Sequence, residues 1–160
     1  MLRQPSKVEE DAENALAQAA GGLDQEEEDR APYCSPAYVE METGAAWLAL
    51  GRPSEALTVF EESRAQLNGS TQIRDHVLCL ARLATAYAVA DEVEEACNVA
   101  EEALTLTQSI GSVRVAAQLR RVRHRLARWS RDPTVTDLIM RLDRVAESFP
   151  SPRSRPEGAQ

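Results

Sequence analysis

Aromatic residues are scarce in this chain of 160 residues, where Phe, Trp and Tyr together make up 4%. Alanine is abundant instead, and runs of β-branched residues are short, so the composition favours helices over strands. Hydrophobic residues still account for 43% of the chain, which is enough to form a core. The composition therefore predicts an all-α fold, with room for one ordinary domain or for a few units of a repeat array.

Long apolar runs are also lacking. No segment approaches the roughly 18 apolar residues that a bilayer-spanning helix needs, and the mean hydropathy is -0.40. The N-terminal residues MLRQPSKVEED contain no apolar stretch of the kind found in secretory signal peptides. These two features predict a cytoplasmic protein that does not associate with a membrane.

Residues that carry most metal and nucleophile chemistry are few. The three cysteines, Cys34, Cys79 and Cys97, form no CxxC pair, which is typical of a reduced compartment rather than a disulfide framework. Cys79 and Cys97 lie in apolar helical patterns, so we expect both to be buried. Neither His76 nor His124 has a second ligand at metal spacing, and no glycine-rich phosphate loop or nucleophile motif occurs. The sequence predicts a non-enzymatic protein without a metal or cofactor.

The net charge of -8 hides an asymmetry between the two parts of the chain. Residues 1–110 carry 7 Lys and Arg against 21 Asp and Glu, whereas residues 111–160 carry 11 against 5. Because an acidic surface repels polyanions, only the second part has the charge to bind one.

Helix-breaking residues divide the chain into short helical segments. Gly51, Pro53 and Gly111 each stop or start an amphipathic pattern. Only two or three residues separate the helices at Gly51 and Pro53, which is too few for anything but an antiparallel hairpin. The predicted organisation is a disordered N-terminus 1–6, a helical repeat domain 7–149 with a half hairpin 7–22 and hairpins 35–69, 72–110 and 113–148, and a disordered tail 150–160.

Two of these hairpins share one sequence pattern. Moving residues 44–63 forward by 40 positions, a shift that we call the repeat period, aligns small residues with small ones and an aromatic residue with an aromatic one. The aligned pairs include Gly44 and Ala84, Trp47 and Tyr87, Ala56 and Ala96, Val59 and Val99, and Ser63 and Ala103. Such self-similarity is typical of a repeat array, in which each hairpin buries its apolar face by stacking on a neighbour. Hairpin 113–148 is a degenerate third unit, as expected at the end of an array.

The spacing of these small and aromatic residues resembles the tetratricopeptide repeat. The residues that match the pattern in the first hairpin are Gly44, Trp47, Ala56, Phe60 and Ser63. In the second hairpin Ala100 replaces the phenylalanine, and the repeat period is longer than the family's usual value of about 34 residues. The resemblance implies antiparallel helix hairpins stacked in a right-handed solenoid, with a HEAT-like helical array as the alternative.

From about residue 8 to residue 148 the chain also resembles the C-terminal repeat region of helix-turn-helix transcriptional regulators of high-GC bacteria. The resemblance rests on SPAYVEMETGAAWLALGRPSEAL, RDHVLCLARLATAYAVADEVEEAC, and SVRVAAQLRRVRHRLARW followed by DPTVTDLIMRL. In that family a DNA-binding domain precedes the repeats, which receive a signal or mediate self-association. No such domain is recognisable in this sequence, so the resemblance implies a sensing or interaction part and transfers DNA binding to no residue.

In the tetratricopeptide arrangement the first helix of each hairpin lines a concave groove. In that register the groove is apolar at one end and cationic at the other, because Arg120, His124 and Arg128 stand four residues apart on one helix face. The candidate binding residues are Tyr38, Met41, Thr85, Arg120, His124 and Arg128. An extended peptide or protein segment with an acidic residue or a free carboxylate suits this groove, because arginine binds carboxylates through paired hydrogen bonds.

Other interpretations of the Arg-rich segment 113–131 stay open. Its arginines can form a solvated face that pairs loosely with the acidic helix EVEEACNVAEEAL. Nucleic acid is a further partner, which we rank last because the charge lies on one helix and only Trp129 is placed to stack on a base. A structural role in self-association, giving a homodimer through an exposed apolar end helix, is the third alternative.

Overall fold

A computed structural model describes residues 35–149, and these residues form six α-helices with no β-strand among them. The helices are α1 Pro36–Ala49, α2 Pro53–Leu67, α3 Ile73–Val89, α4 Val93–Thr107, α5 Val113–Leu126 and α6 Pro133–Ser148, with a short 3₁₀ turn at Ala127–Trp129 between α5 and α6. The all-α prediction is confirmed for this part of the chain. The Arg-rich segment begins with α5 and continues into that 3₁₀ turn. The half hairpin 7–22 and the termini 1–6 and 150–160 lie outside the described residues.

The chain divides into two compact units, Met1–Thr71 and Gln72–Gln160. Within the first unit, α1 packs along α2. Gln66 of α2 donates a hydrogen bond of 3.0 Å to Glu40 of α1, and Gly44 of α1 faces Phe60 of α2. Residue numbers therefore fall along α2 as they rise along α1, so the two helices form an antiparallel hairpin.

Within the second unit, α3 is the central helix because it packs against both α4 and α5, and α5 also packs against α6. Eleven of the seventeen residues of α3 are buried. Helix α6 buries a narrower face, formed by Val135, Leu138 and Leu142, each no more than 1% exposed. The burial decreases from the centre of the unit toward its last helix, as expected of a terminal element.

The core of the first hairpin depends on a close approach at Gly44. A Cβ atom added at Gly44 would lie 2.6 Å from Cε1 of Phe60, whose side chain is fully buried, so the packing would have to shift. One repeat period later the pair is Ala84 and Ala100, and both are fully buried. In the second hairpin Ala100 replaces the phenylalanine. The residue paired with it is Ala84, which is larger than the glycine of the first hairpin.

The turn inside each of the first two hairpins has the same backbone structure. Gly51 and Asp91, which occupy equivalent positions in the two hairpins, adopt the left-handed conformation with φ of 73° and 64°. The amide of Arg52 donates to the carbonyl of Trp47 at 3.0 Å, and the amide of Glu92 donates to the carbonyl of Tyr87 at 3.0 Å. These bonds belong to the Schellman motif, which uses a left-handed residue to satisfy the last carbonyls of a helix.

The second helices of all three hairpins begin exactly one repeat period apart, at Pro53, Val93 and Pro133. Proline suits the first turn of a helix because its missing amide hydrogen has no partner there. In α6 the side chain of Asp132 adds a cap, since its Oδ1 accepts a hydrogen bond of 2.8 Å from the amide of Thr134. The repeat period therefore extends into the hairpin whose sequence pattern is degenerate.

We predict that Gly44→Ala lowers the free energy of unfolding by about 1–3 kcal/mol, because the added methyl overpacks against Phe60. Helix propensity alone predicts a change of about 1 kcal/mol in the opposite direction. Urea unfolding followed by circular dichroism measures the difference. Combining Gly44→Ala with Phe60→Leu should recover part of the loss. A single Gly44→Ala variant more stable than the wild type would contradict the close packing.

The left-handed turns give a second prediction. Substitutions at the two equivalent sites, Gly51 and Asp91, should change the free energy of unfolding in opposite directions. Gly51→Ala should lower the free energy of unfolding by about 1 kcal/mol, since a side chain with a Cβ is strained at this φ. Asp91→Gly should raise it by up to about 1 kcal/mol, since it removes that strain. Both are measured by urea unfolding, with Asp91→Gly repeated in an Arg128→Gln background because Asp91 pairs with Arg128. Equal effects at the two sites would contradict the proposed strain at Asp91.

Candidate binding surface on α5

Helix α5 and the 3₁₀ turn after it concentrate the positive charge of the second unit. The segment 113–129 contains six arginines and one histidine, and no aspartate or glutamate. The apolar residues of α5 that form its buried face are Val115, Ala116, Leu119, Val122 and Leu126, each no more than 1% exposed. The arginines are consequently spread over the remaining faces of the helix, where they have different surroundings.

Two of these arginines fasten α5 to α6. Arg120 donates from Nη2 to the carbonyl of Ala146 at 3.0 Å and to the carbonyl of Phe149, at the C-terminal end of α6. Cations are favourable at a helix C-terminus, where carbonyl groups lack partners within the helix. Arg123 donates from Nε to Oδ1 of Asp143 at 2.9 Å. These two side chains serve the packing of the hairpin.

A second set of side chains lies exposed along one face of α5 and the 3₁₀ turn. We call this set the cationic stripe, and its members are Arg114, Arg121, His124, Arg125 and Arg128. At 3.6 residues per turn they fall within roughly 100° of the helix circumference. Neither Arg121 nor Arg125 makes an ion pair with a carboxylate of residues 35–149. The stripe is a continuous positive surface about 20 Å long, at a rise of about 1.5 Å per residue.

Arg128, at the end of the stripe, shows how a carboxylate meets this surface. Its Nη2 lies 3.0 Å from Oδ1 of Asp91, and its guanidinium carbon lies 4.7 Å from the centroid of the Trp129 ring. The side chains of Arg128 and Asp91 are 59% and 66% exposed, so solvent weakens this pair. A carboxylate is thus accommodated here at small energetic cost, with the ring of Trp129 beside it.

The positive charge also acts at the beginning of α5. Burial raises the pKa of the Asp75 carboxyl, while the charges of Arg114 and Arg74 oppose that shift. Arg114 belongs to the stripe, and its positive charge interacts with the Asp75 carboxyl on α3. The middle of the stripe, at Arg121 and Arg125, has no such internal carboxylate among the described residues.

The six residues predicted for the binding groove have different positions in the structure. In the first unit Tyr38 is partly exposed, whereas Met41 is fully buried. In the second unit Thr85 is 8% exposed and donates from Oγ1 to the carbonyl of Ala81 at 3.1 Å. Arg120 is bonded to α6, as described above, and His124 and Arg128 lie on the cationic stripe.

Arg121 and Arg125 are stripe residues that the sequence prediction did not include. Their spacing of four, followed by three to Arg128, marks the same helical face and was visible in the sequence. The prediction chose the neighbouring line through Arg120 because arginines occupy both lines, and a sequence pattern does not show which line faces α6. The groove itself, as a surface that binds a peptide, stays a prediction.

The second unit also contains two buried cysteines and a cleft between two helix ends. Cys79 and Cys97 are buried, as predicted, and burial raises the pKa of the Cys97 thiol, which favours its neutral form. A cleft of about 370 Å³ lies between the ends of α4 and α6, and no ionisable side chain lines it. Within residues 35–149 no three His, Cys, Asp or Glu side chains are placed to hold a metal ion. No helix in this range combines the length and apolar character that crossing a bilayer requires.

Comparison of the chain with protein-family models, with curated proteins and with solved structures gave no match.

The division of the arginines into two sets makes a prediction about stability. Arg120→Gln should lower the free energy of unfolding by about 1–2 kcal/mol, because it leaves the last carbonyls of α6 without a charged donor. Arg121→Gln, one residue away and exposed, should change it by no more than about 0.5 kcal/mol. Urea unfolding of the two variants tests this directly. Equal destabilisation by both would show that the structure assigns the arginine partners wrongly.

Proposed function

We propose that the chain is a non-enzymatic protein-binding or peptide-binding module, built as a tetratricopeptide-like solenoid of helix hairpins and serving as the sensing or interaction part of a transcriptional regulator. The observation that carries the proposal is the cationic stripe. It is an exposed surface of one charge sign on a chain whose net charge is -8. Acidic protein segments are the partners whose charge complements it.

The repeat geometry supports the solenoid part of the proposal. The second helices begin one repeat period apart, and the first two turns share the same left-handed conformation and the same hydrogen bonds. In the second unit the first helix of one hairpin, α3, packs against the first helix of the next, α5. That contact between successive first helices is how repeat arrays bury a continuous core.

The dipole of α5 favours cations in its last turn, including His124 and Arg125, but it gives no reason for a cation at Arg121. Arg121 and Arg125 stand four residues apart, and like charges at that spacing destabilise a helix by a few tenths of a kcal/mol. Exchanging Arg121 for glutamate would create a favourable pair with Arg125 at no cost in packing, because both side chains are exposed. A surface that keeps this arrangement is better explained by a partner than by folding.

Nucleic acid is the alternative partner for the same stripe. Arginine binds phosphate as well as carboxylate, so the charge alone does not separate the two. The acidic balance of residues 1–110 opposes a long polyanion, whereas a short protein segment need contact only the stripe. An acidic protein segment is therefore the partner that we propose.

The proposal predicts that the full chain selects acid-rich members from an immobilised random-peptide library at physiological salt. Retention should fall when Arg128→Gln removes a stripe cation, and should not change with Arg144→Gln, which removes an exposed arginine of α6. Sequencing of the retained peptides and their affinities by fluorescence anisotropy provide the measurement. Absence of any enriched peptide would refute the binding-module proposal. Retention of DNA or RNA in preference to peptides would favour the alternative.

A further inference from the structure

The position of the cationic stripe within the repeat indicates the secondary structure of its binding partner. Moved back by one repeat period, the stripe residues Arg121, His124, Arg125 and Arg128 correspond to Ala81, Ala84, Thr85 and Ala88 of α3. All four of these α3 residues are buried, between 0% and 8% exposed. The helix face that carries small, buried residues on α3 therefore carries cationic, exposed residues on α5.

The end of a repeat array requires a polar outer face to stay in solution, and this requirement explains why the apolar face is lost on α5. It does not explain the positive charge of Arg121, because an acidic residue there would be equally polar and would pair favourably with Arg125. Segment 113–129 contains no carboxylate at all. The face thus has the location of a helix-packing surface together with the charge of an anion-binding surface.

We propose that the cationic stripe binds an acidic α-helix of a partner protein, which lies along α5 in the position that the first helix of a further repeat would occupy. This inference rests on the proposed function and adds to it the secondary structure, charge pattern and placement of the partner. The partner helix presents carboxylates at the i, i+4, i+7 and i+11 spacing, which keeps side chains on one face of a helix. Arginine forms paired hydrogen bonds with such carboxylates.

Two details of the surface fit a helical partner. Ala117 lies exposed within the arc of the stripe, and its small side chain leaves room for a second helix to approach. The Arg128 and Asp91 pair, at 3.0 Å, shows one carboxylate already seated at the end of the stripe. A partner carboxylate at this position replaces Asp91, and at Arg121 and Arg125 it meets cations without a partner among residues 35–149.

The test uses the full chain, labelled with ¹⁵N, and a stapled helical peptide of about 16 residues, long enough to cover the stripe at ~1.5 Å per residue. Glutamates stand at the i, i+4, i+7 and i+11 positions of this facial peptide. The control peptide has the same composition and staple, with its glutamates distributed around the helix. Anisotropy gives the two affinities at low and at physiological salt, and NMR shift changes locate the contact.

We expect the facial peptide to bind about fivefold or more tightly than its isomer, with shift changes centred on residues 114–128. Arg121→Gln combined with Arg125→Gln should weaken binding of the facial peptide about tenfold. Arg131→Gln combined with Arg144→Gln removes the same charge from exposed positions outside the stripe, and should weaken binding less than about twofold.

Three results would overturn the inference. If both peptides bind equally, the partner need not present a carboxylate face, although binding of either would leave the protein-binding proposal intact. If a DNA duplex binds more tightly than the facial peptide through the same arginines, the surface belongs to nucleic acid. If sedimentation shows a dimer that the Arg121→Gln and Arg125→Gln variant abolishes, the occupant is a second copy of the chain.

Discussion

The backbone turn at the end of the first helix in each of the first two hairpins determines much of the rest of the architecture. A single left-handed residue, Gly51 in one hairpin and Asp91 in the next, satisfies the last helical carbonyls and reverses the chain within a few residues. The second helix must then begin at a set position, and it does so at Pro53 and Val93. Because the start of a helix sets which of its residues face the partner, the turn also determines the register of the core.

Packing between the helices differs between the first two hairpins, although their turns are alike. Gly44 and Phe60 fill one core with a small and a large residue, and Ala84 and Ala100 fill the other with two residues of intermediate and equal size. The spacing between helix axes depends on the side chains at the contact. These two hairpins therefore share the structure of their turn and differ in the packing of their cores.

Much of this fold follows from the sequence, since helix ends marked by glycine, proline or a capping side chain agree with the structure. The period in the third hairpin was harder to recognise, because α6 buries Val135, Leu138 and Leu142 while Met140, the counterpart of Phe60, is 52% exposed. Helix α6 buries only this narrow face, so its apolar pattern is shifted from those of α2 and α4. Pro53 and Pro133, separated by two repeat periods, are the sequence signal that relates the third hairpin to the first.

The candidate surface was predicted less completely than the fold. An arginine pattern identifies the charged helix, and the structure places His124 and Arg128 on one exposed face of it. Arg120 was assigned to binding, but its partners are the backbone carbonyls of Ala146 and Phe149, and a backbone group leaves no side-chain signal in the sequence. Met41 and Thr85 illustrate the same limit, since burial depends on neighbours that are distant along the chain.

The attachment of Arg120 to the end of α6 has a consequence for how this protein can evolve. The residue that secures the hairpin and the residue that faces outward, Arg121, are adjacent in the chain and perform separate tasks. Changes at Arg121 or Arg125 can alter the surface offered to other molecules while selection for folding acts on Arg120 alone. Descendants of this sequence could diverge in partner choice through a few exposed positions and retain the same helical scaffold.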